Sequence, residues 1–201
     1  MEDVLTRLIE KVEKRYYGKY RAFVVNNKDP EKRGRLRLQI PSVLGKDVVS
    51  GWALPCAPYG GTDDHGFFFV PDEKAGVWAE FEAGDLDYPI WVGTFPAKPG
   101  GESEIPKEAK AKAPEEVATQ RIIKSASGIL IHMDDAAEAL TIKDKTGNTI
   151  KMSPKEFTIT AKKILTIDAG GEDIVIKGKN ITIDAAETNT IKGGSLVDIN
   201  P

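Results

Sequence analysis

Residues 157–184 read FTITAKKILTIDAGGEDIVIKGKNITID, and the architecture of the chain can be worked out from this stretch. Short alternating runs, such as Phe157-Thr158-Ile159-Thr160 and Ile181-Thr182-Ile183-Asp184, are separated by joints of Gly, Asn, Asp and Lys. Successive side chains of a β-strand point to opposite faces, so isoleucine falls on one face and Thr, Asp or Lys on the other. One isoleucine per run gives Ile142, Ile150, Ile159, Ile167, Ile176, Ile183, Ile191 and Ile199, at intervals of 8, 9, 8, 9, 7, 8 and 8. A repeat of this kind demands stacking, because no single unit can bury its apolar face alone.

The repeat is too short for an ordinary solenoid coil. A single chain needs about 18 residues to turn through three sides and enclose a core. The aromatic residues that fill wide cores are also missing, since Phe157 is the only one beyond position 96. Two arrangements remain. Either two or three strands make each coil of a one-chain solenoid, or three chains wrap one axis and each supplies one side. In the second, Ile142, Ile150, Ile159, Ile167, Ile176, Ile183, Ile191, Val197 and Ile199 form the trimer core. Each buried aliphatic side chain then contributes roughly 1.5–3 kcal/mol, nearly all of it lost in a monomer.

Upstream, residues 17–96 have the pattern of a compact antiparallel β domain. Tyr20-Arg21-Ala22-Phe23-Val24-Val25 is one strand, closed by the turn cluster Asn26-Asn27-Lys28-Asp29-Pro30. In Gly34-Arg35-Leu36-Arg37-Leu38-Gln39-Ile40, Leu36, Leu38 and Ile40 share one face. Further strands are expected near residues 51–56, 66–70, 76–82 and 89–94, with Gly, Pro and Asp in the joints. Short strands this closely spaced suit a small closed barrel, which leaves no exposed edge. Its expected core is Phe23, Leu36, Leu38, Ile40, Trp52, Phe81 and Trp91.

Two other segments complete the chain. Residues 3–15, within a leading segment 1–16, show Val4, Leu5, Leu8, Ile9 and Val12 at helical spacing and read as a short amphipathic helix. It packs on its own domain or on a neighbouring subunit. Residues 97–120 are rich in Pro, Lys, Glu and Ala and read as an extended linker, leaving 121–201 for the repeat. The N-terminus is too charged for a signal peptide and no apolar run reaches transmembrane length, so assembly in the cytoplasm is expected.

Composition narrows the function. The net charge is −3, against the strongly basic face of a general nucleic-acid binder. Residues 1–40 carry 11 basic and 6 acidic side chains, and residues 41–96 carry 2 and 9, so the basic excess either meets an acidic partner or pairs with the acidic segment. Cys56 is the sole cysteine and reads as a small buried hydrophobe; no intrachain disulfide is possible.

The stretch from Gly34 to Pro41, then Trp52-Ala53, Gly66-Phe67-Phe68-Phe69-Val70-Pro71 and the run from Val77 to Gly93 resemble, in that order, one OB domain. It is that of contractile-injection spikes: phage baseplate spike proteins, phage baseplate assembly protein V and VgrG proteins of type VI secretion. Ser127-Gly128-Ile129-Leu130-Ile131 and Thr146-Gly147-Asn148-Thr149-Ile150 are similar to the start of that family's needle, and Gly193-Gly194 through Pro201 to its end. The resemblance implies an all-β chain: an OB-fold collar, then an intertwined triple-stranded β-helix in a homotrimer. It implies a structural puncturing device of a phage tail, bacteriocin-like particle or secretion apparatus, docked on a hub and driven into an envelope that it meets only in transit. The absence of a fused hub-like domain implies a separate hub protein, and 97–120 leaves no room for an inserted lysozyme domain. The family's His-x-His iron site is missing at the end, so a separate PAAR-type tip protein is expected, with Ile199, Asn200 and Pro201 as candidate contacts; tape-measure or cargo proteins are further partners.

The residues that look chemical read better as structure. Asp63, Asp64 and His65 form the most enzyme-like cluster, but Gly60-Gly61-Thr62 beside them marks a solvated loop. Asp85 and Asp87 suit a Gly-Asp-x-Asp turn in which Asx side chains bond local N–H groups. His132 falls on the face opposite Ile129, Ile131 and Met133, away from an axis where three imidazoles could hold a metal. Gly170-Gly171 and Gly193-Gly194 lack the Lys-Ser/Thr pair of a phosphate loop. No catalytic residue, metal or cofactor is expected. The alternative is an OB-fold nucleic-acid-binding protein with a β-solenoid oligomerisation tail, disfavoured by the acidic 41–96 segment and by Phe67-Phe68-Phe69, which read as partly core-facing. A β-helical acyltransferase trimer would need a placed catalytic histidine, and a self-polymerising scaffold does not suit an aromatic-rich barrel in front.

Overall fold

The computed structural model of the chain describes residues 15–194 and Val197. The expected helix over 3–15 therefore lies almost wholly outside the described residues, as do Ile199, Asn200 and Pro201. The chain divides into two units: one runs to Ile122 and takes in Asp134–Ala136, and the other holds Ile123–Met133 and the chain from Ala137 onward.

The first unit is built on a closed five-stranded barrel. Its strands are β1 (Tyr20–Asn26), β2 (Leu36–Gln39), β3 (Val49–Pro55), β4 (Gly76–Phe81) and β5 (Pro89–Thr94), in the order β1-β2-β3-β5-β4. All neighbours are antiparallel except β3 and β5, which run parallel through Leu54↔Ile90 and Pro55↔Trp91. Register shifts between Val24 and Asn26, Arg37 and Gln39, and Val77 and Ala79 bend the strands enough to close so small a barrel. At the second of these, the N–H of Leu38 donates to the buried Ser50 Oγ (3.0 Å), which in turn donates to the Gly51 carbonyl (2.7 Å). The break in the ladder thus leaves no orphaned donor.

Ala22, Val24, Leu36, Leu38, Ile40, Ala53, Val77, Ala79 and Phe81 form one buried cluster. Trp91 packs against it half-buried and donates its indole N–H to the Gly34 carbonyl (3.1 Å). Two expected core residues lie elsewhere. Phe23 is 37% exposed, because β1 turns Ala22 and Val24 inward. A five-stranded interior is filled by alternating small and large side chains, so the small residue occupies it and the phenyl ring rests outside on Phe95, centroids 6.3 Å apart. Trp52 is half-buried on the outer wall, beneath the guanidinium groups of Arg35 (5.6 Å) and Arg37 (6.0 Å).

Residues 66–70 are not a strand. Phe67 N–H bonds the Tyr59 carbonyl (3.0 Å), but the three phenylalanines find no ladder and stand 52%, 70% and 63% exposed. The linker is not fully extended either. It holds 3-10 turns at Pro99–Gly101 and Pro114–Thr119 and one helical turn, α1 (Lys107–Lys110), with Ala109 buried. Proline at the first helical position and a run of Ala, Glu and Lys favour such turns over an open chain. Lys112 pairs with Asp134 at 2.9 Å.

The second sheet contains β6 (Gln120–Lys124), β7 (Leu130–Asp134), β8 (Ala139–Lys143), β9 (Thr149–Met152) and β10 (Phe157–Thr160), in the order β10-β9-β8-β7-β6. The intertwined needle expected from residue 121 therefore does not start there. Through Thr160 each strand pairs with its sequence neighbour in the same chain, because tight polar turns reverse it. Among the described residues, none beyond Thr160 is in a strand.

Candidate functional site: surfaces for assembly

The barrel's most ordered polar feature follows from the turn after β1. Asp29 Oδ1 accepts from Arg35 Nη2 (2.7 Å) and Nε (3.0 Å), while its carboxylate also takes the backbone N–H groups of Glu31, Arg33 and Arg35. Arg35 chiefly, with those N–H groups, holds the Asp29 carboxyl well below the usual carboxylate range. Glu31 is the second carboxylate on Arg35, at 2.9 Å. This cluster pins the β1–β2 turn; its three charges are occupied by one another.

The enzyme-like candidates disperse. Asp63 and Asp64 sit in an exposed turn, where Thr62 Oγ1 meets His65 Nε2 at 2.9 Å. Asp85 accepts from Arg15 (2.8 Å) and from the N–H of Asp87 (3.2 Å), the bond expected of an Asx turn. His132 lies half-buried on β7, on the face opposite Ile131 and Met133. Cys56, expected to be buried, is exposed because β3 ends at Pro55; its N–H bonds the Trp91 carbonyl (2.9 Å). No group of three or more His, Cys, Asp or Glu side chains among the described residues is arranged to hold a metal ion.

What the barrel does present is an apolar groove lined by Cys56, Pro58, Phe67, Phe69, Trp91 and Thr94. Its wall depends on Gly34: this residue has φ +73°, and a Cβ there would come within 3.1 Å of the Phe68 ring. Sequence reasoning misses this surface, since a Phe-Phe-Phe run between Gly and Pro reads as core strand.

The second unit presents a larger one. Registers Ile142↔Ile150↔Ile159 and Leu140↔Met152↔Phe157 place two rows of apolar side chains on one face of β8, β9 and β10. Thr141, Lys151 and Thr158 form a row on the other. In the single chain Ile142, Ile150, Met152, Phe157 and Ile159 stand 37–64% exposed. Just beyond the sheet the chain is steered by Asn148, whose Oδ1 accepts the N–H of Lys162 (2.8 Å). Ile164 and Leu165 then border a groove with Ile129, Ile142, Ile150 and Ile159. The β8–β9 turn is locked by Asp144, which accepts from the Thr146 hydroxyl, the Asn148 amide and the N–H groups of Gly147 (2.7 Å) and Asn148 (2.9 Å). The Thr146 hydroxyl foremost, then these others, lower the Asp144 pKa to about 2. Farther on, the expected core residues Ile167, Ile176, Ile183, Ile191 and Val197 are 46–68% exposed, with Ile164 at 87%.

A five-stranded closed barrel with this order and one parallel closure defines an OB fold. Residues 20–95 match the family described as the type VI secretion system/phage-baseplate injector OB domain. The barrel is thus similar to the OB domains of injector baseplates, which supports a structural, baseplate-associated role. No curated protein matches the chain. No helix among the described residues is long and apolar enough to cross a membrane.

Proposed function

We propose that the chain is the central spike of a contractile injection machine, a phage tail, tailocin or secretion particle. In this reading the OB barrel is the collar that docks on a separate hub protein. The chain from residue 121 builds a homotrimeric needle, an in-chain meander through Thr160 and β-helical beyond it, that pierces the target envelope, with a PAAR-type protein at its tip. The role is mechanical, with no catalytic step.

The observation that carries this reading is a ladder of exposed aliphatic residues running on from a barrel that matches the injector family. Burying an aliphatic side chain removes roughly 100 Å² from water at the usual 25 cal/mol per Å². The exposed parts of the apolar residues from Ile129 to Val197 then amount to on the order of 1,000 Å² per chain, above the roughly 800 Å² each partner buries in a standard interface. In a monomer all of that apolar area would stay in water. Three copies around an axis cover it with like against like.

The test is to purify contractile particles from producing cells and locate the chain by mass spectrometry and immunogold labelling. It should lie at the baseplate end of the sheath; absence from such particles contradicts the assignment. The exposed Phe67, Phe68 and Phe69 favour one other reading, a stacking platform for single-stranded nucleic acid. Asp63, Asp64, Asp72 and Glu73 flank them and repel phosphates. Measurable binding of an oligo-dT probe at low salt would support that alternative.

A further inference from the structure

The basic excess of residues 1–40 is only partly met by the acidic segment that follows it. Arg15 pairs with Asp85, Lys19 with Glu80, Lys28 with Glu73, and Arg35 with Asp29. Arg21 on β1, and Asp63 and Asp64 in the β3–β4 loop, form no ion pair among the described residues. Each of these spare charges borders exposed apolar surface.

The β3–β4 loop is a preformed finger. Phe67 N–H donates to the Tyr59 carbonyl (3.0 Å), and the two limbs cross so closely that a Cβ on Gly66 would stand 3.0 Å from the Gly60 Cα. Tyr59 meets Phe67 edge-on (6.3 Å), and Phe67 meets Phe69 (6.1 Å). These three rings and Phe68 are each more than half exposed. An aromatic side chain presents about 150–250 Å², so the four leave on the order of 500 Å² in water. On the outer wall of β1 and β4, the register Arg21↔Trp78 and Phe23↔Gly76 sets Arg21, Phe23 and Trp78 on one surface. Phe95 lies beside Phe23 (6.3 Å) and Trp78 (5.1 Å). The Arg21 guanidinium rests 5.8 Å from the Trp78 ring and 5.7 Å from the Phe95 ring, and Phe23 and Val25 are more than a third exposed.

We infer that the β3–β4 loop of one copy seats on the β1–β4 wall of the next, so that three barrels close into a ring. This rests on the trimer proposed above and adds the contact that joins its collars. The occupant of the loop is a second copy of this chain, because the wall supplies what the loop needs. Rings edged by carboxylates meet rings topped by a guanidinium, and the charges steer and orient the contact. The β2–β3 wall offers less: Arg35 is held by Asp29 and Glu31, and Arg37 donates to the Ser50 carbonyl (3.4 Å). Loop and wall are different surfaces, so the contact is head-to-tail, which threefold symmetry closes as a ring. The loop's 500 Å² falls short of the roughly 800 Å² that each partner buries in a standard interface, so isolated barrels should associate weakly. Copies already joined beyond residue 120 meet at an effective concentration on the order of millimolar, where a contact of this size is sufficient. The finger is fixed before docking, so little ordering is lost when it seats.

The test uses the full-length protein, with sedimentation velocity reading its mass. Hydroxyl-radical footprinting with mass spectrometry reads the exposure of each ring, and Tyr88, exposed and outside both surfaces, is the internal reference. Corrected for intrinsic reactivity, oxidation of Phe67, Phe68 and Phe23 should fall at least about fivefold below that of Tyr88. In a Cys56→Ser background, Val25→Cys together with Asp63→Cys should give covalent trimers with a short bis-maleimide, and neither cysteine alone should. Adding Arg21→Glu, which sets like charges against Asp64, should cut that yield about tenfold. If the protein is trimeric but its loop rings oxidise like Tyr88 and no covalent trimer forms, the inference fails while the trimer stands. Cross-linking by Asp63→Cys alone would show loops meeting loops and overturn the wall as the partner. Rings covered only after oligo-dT is added would make nucleic acid the occupant and overturn it too. A monomeric wild type would defeat the trimer itself, and this contact with it.

Discussion

Leu38→Ala and Phe23→Ala compare the inside and outside of the barrel. Leu38 has no exposed surface and is enclosed by the cluster of Ala22, Val24, Leu36, Val77 and Ala79. Removing its isobutyl group from a closed barrel that cannot collapse inward should cost about 3–4 kcal/mol, within the range for buried leucines. For a domain of this size that is a fall of roughly 12–32 °C in midpoint. Phe23 is the larger side chain but rests on the outer wall against Phe95. Its truncation should cost only about 1–2 kcal/mol, against about 3–5 for a phenylalanine in a core. The assay is intrinsic fluorescence during urea or thermal unfolding of the intact chain. All three tryptophans, Trp52, Trp78 and Trp91, lie in the barrel, so emission follows that unit alone. A Phe23→Ala loss equal to or larger than that of Leu38→Ala would show that β1 faces the other way and that the described core is wrong.

Other outcomes follow from the same structure. Gly76→Ala places a Cβ 2.7 Å from the Phe95 ring and should destabilise the barrel by about 1–3 kcal/mol, while adding Phe95→Leu should recover much of the loss in the same fluorescence assay. The Asp144 carboxyl titrates at about 2 in the folded chain, below its usual 3.8, so the turn's contribution is complete above about pH 4 and disappears as pH falls toward 2. Asp144→Ala should remove that part of the acid dependence, followed by far-UV circular dichroism. Asp29, also depressed by Arg35, acts in the same direction: Arg35→Lys, which loses the two-pronged bond and the cover over Trp52, should lower the barrel midpoint and weaken its dependence on acid below pH 4.

The barrel was readable from the sequence where alternation was strict. Leu36, Leu38 and Ile40 alternate with Arg and Gln, and all three are buried. In Tyr20-Arg21-Ala22-Phe23-Val24-Val25 both faces carry apolar residues, so the pattern has no preferred side, and side-chain size points to the wrong one. What selects Ala22 is the narrowness of a five-stranded interior, a property of the closed sheet rather than of the strand. Residues 66–70 mislead for a related reason: their composition suits a strand, but a ladder needs a neighbouring edge and the barrel already uses all of its own. The Asp29–Arg35 cluster was not legible, because it exists only once β2 brings Arg35 back across the turn. In the isoleucine ladder the spacing was legible and the pairing was not. A strand-plus-turn of seven to nine residues serves equally for a meander within one chain and for strands contributed by several. The turn chemistry of Asp144 and Gly147 is what commits 120–160 to the former.

The strongest check on the proposed assembly is the mass of the purified chain in dilute, non-denaturing buffer. Equilibrium sedimentation should give three times 21.9 kDa with no tendency to dissociate at micromolar concentration. A stable species at 21.9 kDa, with the residues from Ile142 to Val197 still open to solvent, would contradict it.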